Sequence, residues 1–374
     1  MTAIPKTFYE FFAGGGMARL GLGPDWTCLL ANDVCDKKGR AYLANFGGED
    51  LVVGDIRGLT AADLPGRASL VWGSFPCQDL SLAGAQAGLA GARSGTFSAL
   101  WDLIGGLAAE GRLPAIVAVE NVCGALTSHG GADFTAIAAA FADGGYRLGP
   151  LIIDAAWFTP QSRPRLFLVG VRQDLAIDPA LVAEGPDPRF HPPALTRAVE
   201  RAGLAALWWR LPAPPARNRA LTDLIDDDGW APEADTRRLL ALMSAANLAK
   251  VEVARAASLN GGGRRVGAVF RRTRRDAGGA RVQRAEVRFD DVAGCLRTPA
   301  GGSSRQMIMA VEAGEVRSRL VSPRETARLM GLADDYVLPS RRTEAYHLTG
   351  DGVSVDAVRW LTAHLFEPLL AAAG

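Results

Sequence analysis

The sequence has few of the residues that build metal sites or disulfide frameworks. It contains five cysteines and four histidines among 374 residues, and no two cysteines form a Cys-x-x-Cys pair. An odd and scattered set of cysteines favours neither a disulfide framework nor a zinc site. We therefore expect no metal.

Long apolar runs are also absent. No stretch of eighteen apolar residues occurs, and the N-terminus lacks the basic-then-apolar pattern of a signal peptide. We expect a cytoplasmic protein that contacts no membrane. Because 374 residues exceed what one hydrophobic core usually supports, two domains are expected.

The net charge of only +1 conceals a strongly basic segment. From Lys250 to Arg305 there are 13 Lys or Arg residues and 5 Asp or Glu residues, a balance of +8. The densest part, Arg264 to Arg275, follows three glycines at 261–263. This pattern is typical of a phosphate-binding surface, and a solvated loop is the alternative.

Short apolar strands alternate with helices over the first 171 residues. The predicted strands are Thr7–Phe12, Thr27–Asn32, Leu51–Gly54, Ser69–Gly73, Ala115–Glu120, Leu148–Asp154 and Leu166–Val171. The predicted helices include Ala41–Phe46, Thr96–Ala109 and Phe134–Phe141. This alternation predicts an α/β fold with a mostly parallel sheet and helices on both faces.

Proline-rich sequence from Arg172 to Pro232 predicts that the chain leaves the sheet domain there. After the basic segment, helices are predicted at Pro323–Met330 and Val353–Leu370. The last helix is expected to pack back onto the first domain, which would make the second domain an insertion.

The first three strands end in glycine or acidic residues. Gly14 to Gly16 follow the first strand, and glycine at a strand-to-helix turn lets the backbone approach a ligand closely. Asp33 follows the second strand, where a carboxylate accepts from ribose hydroxyls, and Asp55 after the third could accept from an adenine amino group. Each acid alone could equally cap a helix or turn. Together, the three strand ends indicate a nucleoside pocket.

Candidate reactive side chains follow the next strands. Cys77 comes directly after Pro76, at the strand edge where a thiol meets a substrate. A lone cysteine is more often a small buried hydrophobe. Glu120 ends the fifth strand, and we expect it to lie beside the thiol of Cys77. The alternative is that Glu120 only caps the following turn. Arg163 and Arg165 share one face of an extended segment and are expected to address one site, unless they are ordinary strand-edge charges.

The chain carries a set of short motifs in a fixed order. They are Phe12-Ala13-Gly14-Gly15-Gly16, Asn32-Asp33, Gly54-Asp55-Ile56, Phe75-Pro76-Cys77-Gln78, Arg93-Ser94-Gly95-Thr96, Glu120-Asn121-Val122, Gln161-x-Arg163-x-Arg165, Ser322 to Gly331 and Gly350-Asp351-Gly352-Val353. This ordered set resembles the compact bacterial cytosine-C5 DNA methyltransferases. The resemblance implies a Rossmann-like S-adenosylmethionine-dependent methyltransferase sheet with a smaller inserted target-recognition domain. It places the catalytic domain at 1–175, the target-recognition domain at 176–335 and a returning C-terminal helix at 336–374.

The resemblance implies S-adenosyl-L-methionine as cofactor. Phe12 would stack on its adenine, the glycine loop would contact its amino-acid part, and Asp33 and Asp55 would hold ribose and adenine. The residues implied at the cofactor are Phe12, Ala13, Gly14, Gly15, Gly16, Asp33, Val34, Asp55, Ile56, Pro76, Gly352 and Val353.

The resemblance also implies a covalent mechanism. The Cys77 thiolate would add to C6 of cytosine, which drives electron density onto C5 for attack on the methyl donor. Protonated Glu120 would donate to N3, and Arg163 and Arg165 would bind the base carbonyl or a phosphate and position Cys77 and Glu120. The target cytosine must flip out of the duplex, and the Gly- and Ala-rich segment 78–96 is expected to close over it.

The implied partner is double-stranded DNA, which the basic segment would bind, with a cognate restriction endonuclease as a candidate partner. A nucleoid-associated monomer is expected. Four motif positions depart from the family. Asp33 replaces glutamate and Val34 replaces a bulkier side chain. In Gly350-Asp351-Gly352-Val353, Asp351 and Gly352 replace the Asn-Ser or Asn-Ala of a Gly-Asn-Ser-Val or Gly-Asn-Ala-Val pattern. The alternatives are a tRNA cytosine methyltransferase, a catalytically silent DNA-binding protein and a nicotinamide oxidoreductase.

Overall fold

The computed structural model describes residues 4–75, 95–275, 278–298 and 305–373. The chain divides into two compact units. The first unit consists of Met1–Asp154, Pro164–Pro214 and Val353–Gly374, and the second of Ala155–Arg163 and Pro215–Gly352. The second unit is therefore inserted into the first at two places in the sequence.

The secondary structure of the described residues is as follows. The strands are β1 Thr7–Phe11, β2 Thr27–Asp33, β3 Leu51–Val53, β4 Leu70–Gly73, β5 Ile116–Val122, β6 Tyr146–Asp154, β7 Pro164–Arg172, β8 Val182–Ala183, β9 Trp208–Trp209, β10 Arg265–Arg275, β11 Arg281–Arg288, β12 Met307–Glu312 and β13 Glu315–Leu320. The helices are α1 Met17–Leu22, α2 Asp36–Phe46, α3 Thr96–Ala109, α4 Ala132–Asp143, α5 Pro193–Arg201, α6 Leu221–Leu224, α7 Glu233–Ala241, α8 Ala245–Leu259, α9 Pro323–Leu329, α10 Arg342–Asp351, α11 Val355–Leu361 and α12 Glu367–Ala373.

The first unit contains a seven-stranded sheet in the order β3-β2-β1-β4-β5-β7-β6. The five strands β1 to β5 run parallel to one another, whereas β7 is antiparallel to both of its neighbours, β5 and β6. The parallel part confirms the predicted α/β sheet. Because β1 to β5 point the same way, their carboxyl ends lie along one edge of the sheet.

The central strands are buried on both faces, as a parallel sheet covered by helices requires. On β1, the neighbouring residues Phe8 and Tyr9 point to opposite faces, and both are fully buried. Helices α1 and α11 pack closely, since a Cβ on Gly21 would lie 2.4 Å from the Cβ of Val358. The C-terminal segment thus belongs to the first unit, where a π-helical turn at Thr362–Phe366 joins α11 to α12.

The proline-rich segment stays with the first unit as far as Pro214, so the departure predicted at Arg172 is placed too early. Its apolar side chains explain the difference. Trp209 is fully buried, and its indole N–H donates to the Gly149 carbonyl over 2.9 Å. Leu195 of α5 is also buried in the core of this unit.

The second unit is built on an antiparallel sheet in the order β11-β10-β12-β13. Its core joins residues of α7 and α8 to one face of this sheet, including Leu239, Val251, Val269, Val287 and Met309. The densest basic sequence therefore forms strand β10, which pairs with β11, rather than a loop. Residues 336–352, which the sequence assigned to the C-terminal segment, belong to this unit.

Within the described ranges, no helix is long and apolar enough to cross a membrane.

Candidate active site

The turn between β1 and α1 is a strained glycine loop. Phe12 has φ +59°, and Gly14 and Gly16 have φ +57° and +73°. A left-handed φ is unfavourable for a side chain such as that of Phe12, so the surrounding structure must enforce it. A Cβ on Gly16 would lie 2.3 Å from the ring of Phe46, which leaves room only for glycine. The loop thus presents backbone without side chains at the start of a helix.

A buried carboxyl group lies beneath this loop and was missed from the sequence. Glu10 on β1 is only 1% exposed and accepts hydrogen bonds from the backbone N–H groups of Ala18 and Arg19 in the first turn of α1. Burial raises the pKa of Glu10 to about 8. The one available signal was a single acid within an apolar strand.

Asp33 at the end of β2 fixes the same loop. One carboxylate oxygen accepts from the N–H of Gly14 and the other from the N–H of Cys35, both over 2.8 Å. The loop is further tied to β2 by the Ala13 N–H, which donates to the Asn32 carbonyl over 2.9 Å. Gly14 and Asp33, which the sequence predicted to share a site, are thus in direct contact.

Two neighbours of Asp33 differ in exposure. Val34 is 68% exposed and leaves an apolar side chain at the surface beside Asp33. Asn32 is buried and donates to the carbonyls of Val52 and Gly54, which joins the ends of β2 and β3.

Asp55 follows β3 and is ion-paired with Arg57. Hydrogen bonds from Arg57 hold the pKa of Asp55 at about 2, below its ordinary value. A cofactor amino group at Asp55 would share the carboxylate with this guanidinium. The neighbouring Ile56 is buried, so its side chain supports the turn from within.

Glu120 and Arg165 form a buried ion pair at the ends of β5 and β7. The Arg165 Nε lies 3.0 Å from Glu120 Oε1, and the two side chains are 13% and 8% exposed. The register explains the contact: Val122 is opposite Arg165, so Glu120 is its diagonal neighbour on the same face. The predicted proximity of these two residues is observed.

The next residue of β5 fixes the chain that leads to Cys77. The side-chain amide of Asn121 donates to the Phe75 carbonyl over 3.2 Å, and Phe75 is itself buried against Phe97. Pro76 and Cys77, together with the predicted closing segment 78–96 as far as residue 94, lie outside the described residues.

Two of the described cysteines are poorly suited to nucleophilic attack. Burial raises the pKa of Cys28 to about 12. Burial also raises the pKa of the Cys123 thiol, although Arg165 acts in the opposite direction. Because the thiolate is the reactive form, neither group competes well for a nucleophilic role.

Arg163 has different partners from Arg165. It belongs to the second unit, is 2% exposed, and donates to the backbone carbonyls of Leu296, Gly350 and Gly352 over 2.7 to 2.9 Å. The described contacts therefore give the two arginines separate tasks, although the sequence placed them at one site. The chain passes from the second unit to the first between residues 163 and 164.

Gln161 acts in the same way as Arg163. This fully buried side chain donates to the Leu329 carbonyl over 2.8 Å and accepts from the Leu296 N–H over 3.1 Å. The first part of the Gln161-x-Arg163-x-Arg165 motif thus supports loops of the second unit.

The late glycine motif is held by backbone contacts of the second unit. A Cβ on Gly350 would lie 2.6 Å from the backbone nitrogen of Thr298, which explains the need for glycine there. Asp351, which differs from the family pattern, accepts a hydrogen bond from the Thr298 hydroxyl. The Gly352 carbonyl accepts from Arg163, and Val353 is a buried residue of the first unit.

Among the described residues, no group of three or more His, Cys, Asp and Glu side chains could hold a metal ion.

Comparisons with known proteins agree on the family. The model of the family described as C-5 cytosine-specific DNA methylase matches residues 6–367. The Type II methyltransferase M.BsuFI of Bacillus subtilis is 26% identical over 375 residues, covering 99% of this chain and 74% of the relative. The Type II methyltransferase M.HpaII of Haemophilus parainfluenzae is 24% identical, covering 97% and 90%.

A crystal structure of a Spodoptera frugiperda DNMT2 variant has a TM-score of 0.60 at 16% identity, covering 97% of this chain and 99% of the other. This likeness supports the α/β fold with its large, mostly parallel sheet.

Proposed function

The chain belongs to the family of C-5 cytosine-specific DNA methylases, and from this premise we propose that it methylates C5 of a cytosine flipped out of duplex DNA, with Cys77 as nucleophile. The observation that supports this most is the buried Glu120–Arg165 pair, because it lies beside Asn121, whose amide binds the backbone of Phe75. Phe75 precedes Cys77 by two residues. A base attacked by Cys77 would therefore come close to Glu120.

The proposed reaction begins at cytosine C6. The Cys77 thiolate forms a bond to C6, and the electrons of the C5–C6 double bond become available at C5. Glu120 enters this step in its protonated form and donates the proton to N3, which neutralises the charge that the addition places on the ring, and the carboxylate that results pairs with Arg165. After methylation, the C5 proton is lost to water, the N3 proton returns to Glu120, and cleavage of the S–C6 bond releases the Cys77 thiolate.

Arg165 has a positioning role in this proposal. Its guanidinium holds one oxygen of Glu120 at 3.0 Å, so the carboxyl group cannot rotate freely. Arg163 instead joins two segments of the second unit, because it donates to the carbonyl of Leu296 and to the carbonyls of Gly350 and Gly352 at the end of α10. We therefore assign a structural role to Arg163 and place only Glu120 and Arg165 at the site of the target cytosine.

The proposed cofactor is S-adenosyl-L-methionine, which supplies an electrophilic methyl group when bound. The residues present fit such a molecule: Gly14, Gly15 and Gly16 carry no side chains, so a ligand can approach this backbone closely, and the exposed Val34 offers an apolar contact. Phe12, Ala13, Gly14, Gly15, Gly16, Asp33, Val34, Asp55 and Ile56 would hold it from the first unit. The roles of Pro76, Gly352 and Val353 stay predictions.

The proposed partner is double-stranded DNA, bound by the basic strands of the second unit. The family description names DNA, which does not favour the tRNA alternative. The words Type II in the names of the relatives support a cognate restriction endonuclease as a further partner. We also propose that the protein acts on chromosomal DNA and does so as a monomer.

Two measurements test this function. Purified protein is incubated with methyl-labelled S-adenosylmethionine and either duplex DNA or tRNA, and DNA from expressing cells is sequenced after bisulfite treatment. We expect label in DNA, and 5-methylcytosine at one recurring sequence. Label in tRNA alone would overturn the DNA assignment, and label in neither would overturn the activity.

A further inference from the structure

The basic strands extend beyond the sheet to which they belong. Strand β12 pairs with β10 only over residues 265–269, whereas β11 pairs with β10 from Ala268 to Arg275. Among the described residues, 270–275 and 281–286 therefore form a two-stranded antiparallel ribbon, here called the arginine ribbon. A two-stranded ribbon is one of the two elements that the major groove of B-DNA admits.

Like charges face each other across this ribbon. Arg272 is directly opposite Arg284, and Arg275 is directly opposite Arg281. Such pairs destabilise an antiparallel ladder, whereas opposite charges would stabilise it. Neither Arg281 nor Arg284 has an ion-pair partner in the described part of the chain. A ribbon with this charge pattern becomes more stable when it binds a polyanion.

The two faces of the ribbon differ. Val269 and Val287 lie opposite each other in the core. Alternate residues of a strand share a face, so the odd-numbered residues of both strands point toward the helices α7 and α8. Arg272 and Arg284 are at even-numbered positions and therefore lie on the opposite, outer face. This face also contains Phe270, whose ring has the guanidinium of Arg272 at 5.3 Å from its centroid.

The acidic content of the outer face is small. Glu286 is the one carboxylate of the described ribbon on this face, and it is shared by Arg272 and Arg274 at 3.6 and 2.6 Å. Arg274 is thus the better neutralised of the two. Arg272 is 51% exposed and remains available to an external acceptor.

We propose that the arginine ribbon enters the major groove of duplex DNA and that Arg272 and Arg284 bind base edges there. Guanine is the expected base, because its O6 and N7 acceptors match the two parallel donors of a guanidinium. This inference rests on the proposed function, since it names the element of the second unit that reads the DNA substrate.

The test compares two double variants that remove the same charge from the same unit. The ribbon variant is R272Q/R284Q. The control is R237Q/R238Q, because these arginines of α7 are 65% and 77% exposed and pair only with nearby acids of their own helix among the described residues. Labelled duplexes with the site found by bisulfite sequencing, and scrambled duplexes, are titrated at several salt concentrations.

We expect the ribbon variant to lose at least tenfold affinity for the site and most of its preference over the scrambled duplex. A duplex in which 7-deazaguanine replaces guanine should weaken wild-type binding but not binding by the variant. S-adenosylmethionine affinity should stay unchanged in both variants, and so should the thermal stability of the control. Removal of facing like charges should not lower the melting temperature of the ribbon variant.

Three results would overturn the inference. One is site affinity within twofold of wild type in the ribbon variant. Another is an equal loss on both duplexes, with a salt slope reduced by about 0.9 per lost contact, because that is the mark of phosphate binding. The third is an equal loss in the control variant. Covalent trapping on 5-fluorocytosine DNA separates the two proposals. If the wild-type protein is trapped and the ribbon variant binds DNA as well as wild type, only the role of the arginine ribbon is refuted. If the wild-type protein is never trapped, the proposed function itself is refuted.

Discussion

Replacing Glu10 by glutamine should stabilise the protein in neutral solution. The carboxyl group of Glu10 is fully buried, and burial raises its pKa from 4.5 to about 8. In Glu10→Gln, the side-chain carbonyl can still accept from the N–H groups of Ala18 and Arg19, so the start of α1 keeps its hydrogen bonds. The variant lacks only the titrating proton.

The sign of the effect follows from proton binding. Between pH 4.5 and 8 the folded protein holds the Glu10 proton and the unfolded chain has released it. The free energy of unfolding therefore falls as pH rises, by about 1.4 kcal/mol per pH unit from this group. From pH 5 to pH 7.5 the wild-type protein should lose roughly 3 kcal/mol relative to the variant.

Urea denaturation at half-unit steps from pH 5 to pH 8, followed by circular dichroism, measures this difference. The surface variant Glu49→Gln is the control, because it removes a carboxyl group from an exposed position. Parallel stability curves for wild type and Glu10→Gln across this range would refute the argument that Glu10 is buried as a neutral acid.

Three further substitutions separate the tasks of the site residues. Gly16 has a left-handed φ, and a Cβ at this position would clash with Phe46. Gly16→Ala should therefore weaken S-adenosylmethionine binding at least tenfold, as measured by calorimetry. The double variant Gly16→Ala/Phe46→Leu should regain part of the affinity. Arg165→Gln should lower kcat at least a hundredfold with cofactor affinity unchanged, since Glu120 loses its positioning partner; single-turnover rates near wild type would contradict this. Arg163→Gln should instead lower thermal stability, by about 3 kcal/mol or more, because three buried carbonyls lose a charged donor; an unchanged melting temperature would refute the structural role.

The first three strands and their ends could be predicted from the sequence because each is a short apolar run whose end is marked by glycine or an acid, such as Gly14, Asp33 and Asp55. The Gly14–Asp33 contact follows from that pattern, since adjacent parallel strands bring their ends together. The Glu120–Arg165 contact required in addition that β7 lie antiparallel beside β5, which the spacing of residues does not reveal.

Other features could not be predicted because they depend on tertiary burial. Glu10 resembles any isolated acid until the packing of α1 over β1 removes it from water. Arg163 and Arg165 are equivalent by strand periodicity, but the chain changes units between them. Proline-rich sequence predicted an early end to the sheet domain, whereas the burial of Trp209 keeps that segment in the first unit.

The central claim is that Cys77 forms a covalent bond to C6 of a flipped cytosine. A duplex with 5-fluorocytosine at the methylated position blocks loss of the C5 substituent and should leave the adduct intact when S-adenosylmethionine is present. Mass spectrometry of proteolytic fragments should then locate the DNA on the peptide that contains Cys77, and Cys77→Ser should form no adduct. An adduct mapped to Cys123 or another cysteine, or none at the sequence that the protein methylates, would contradict the account.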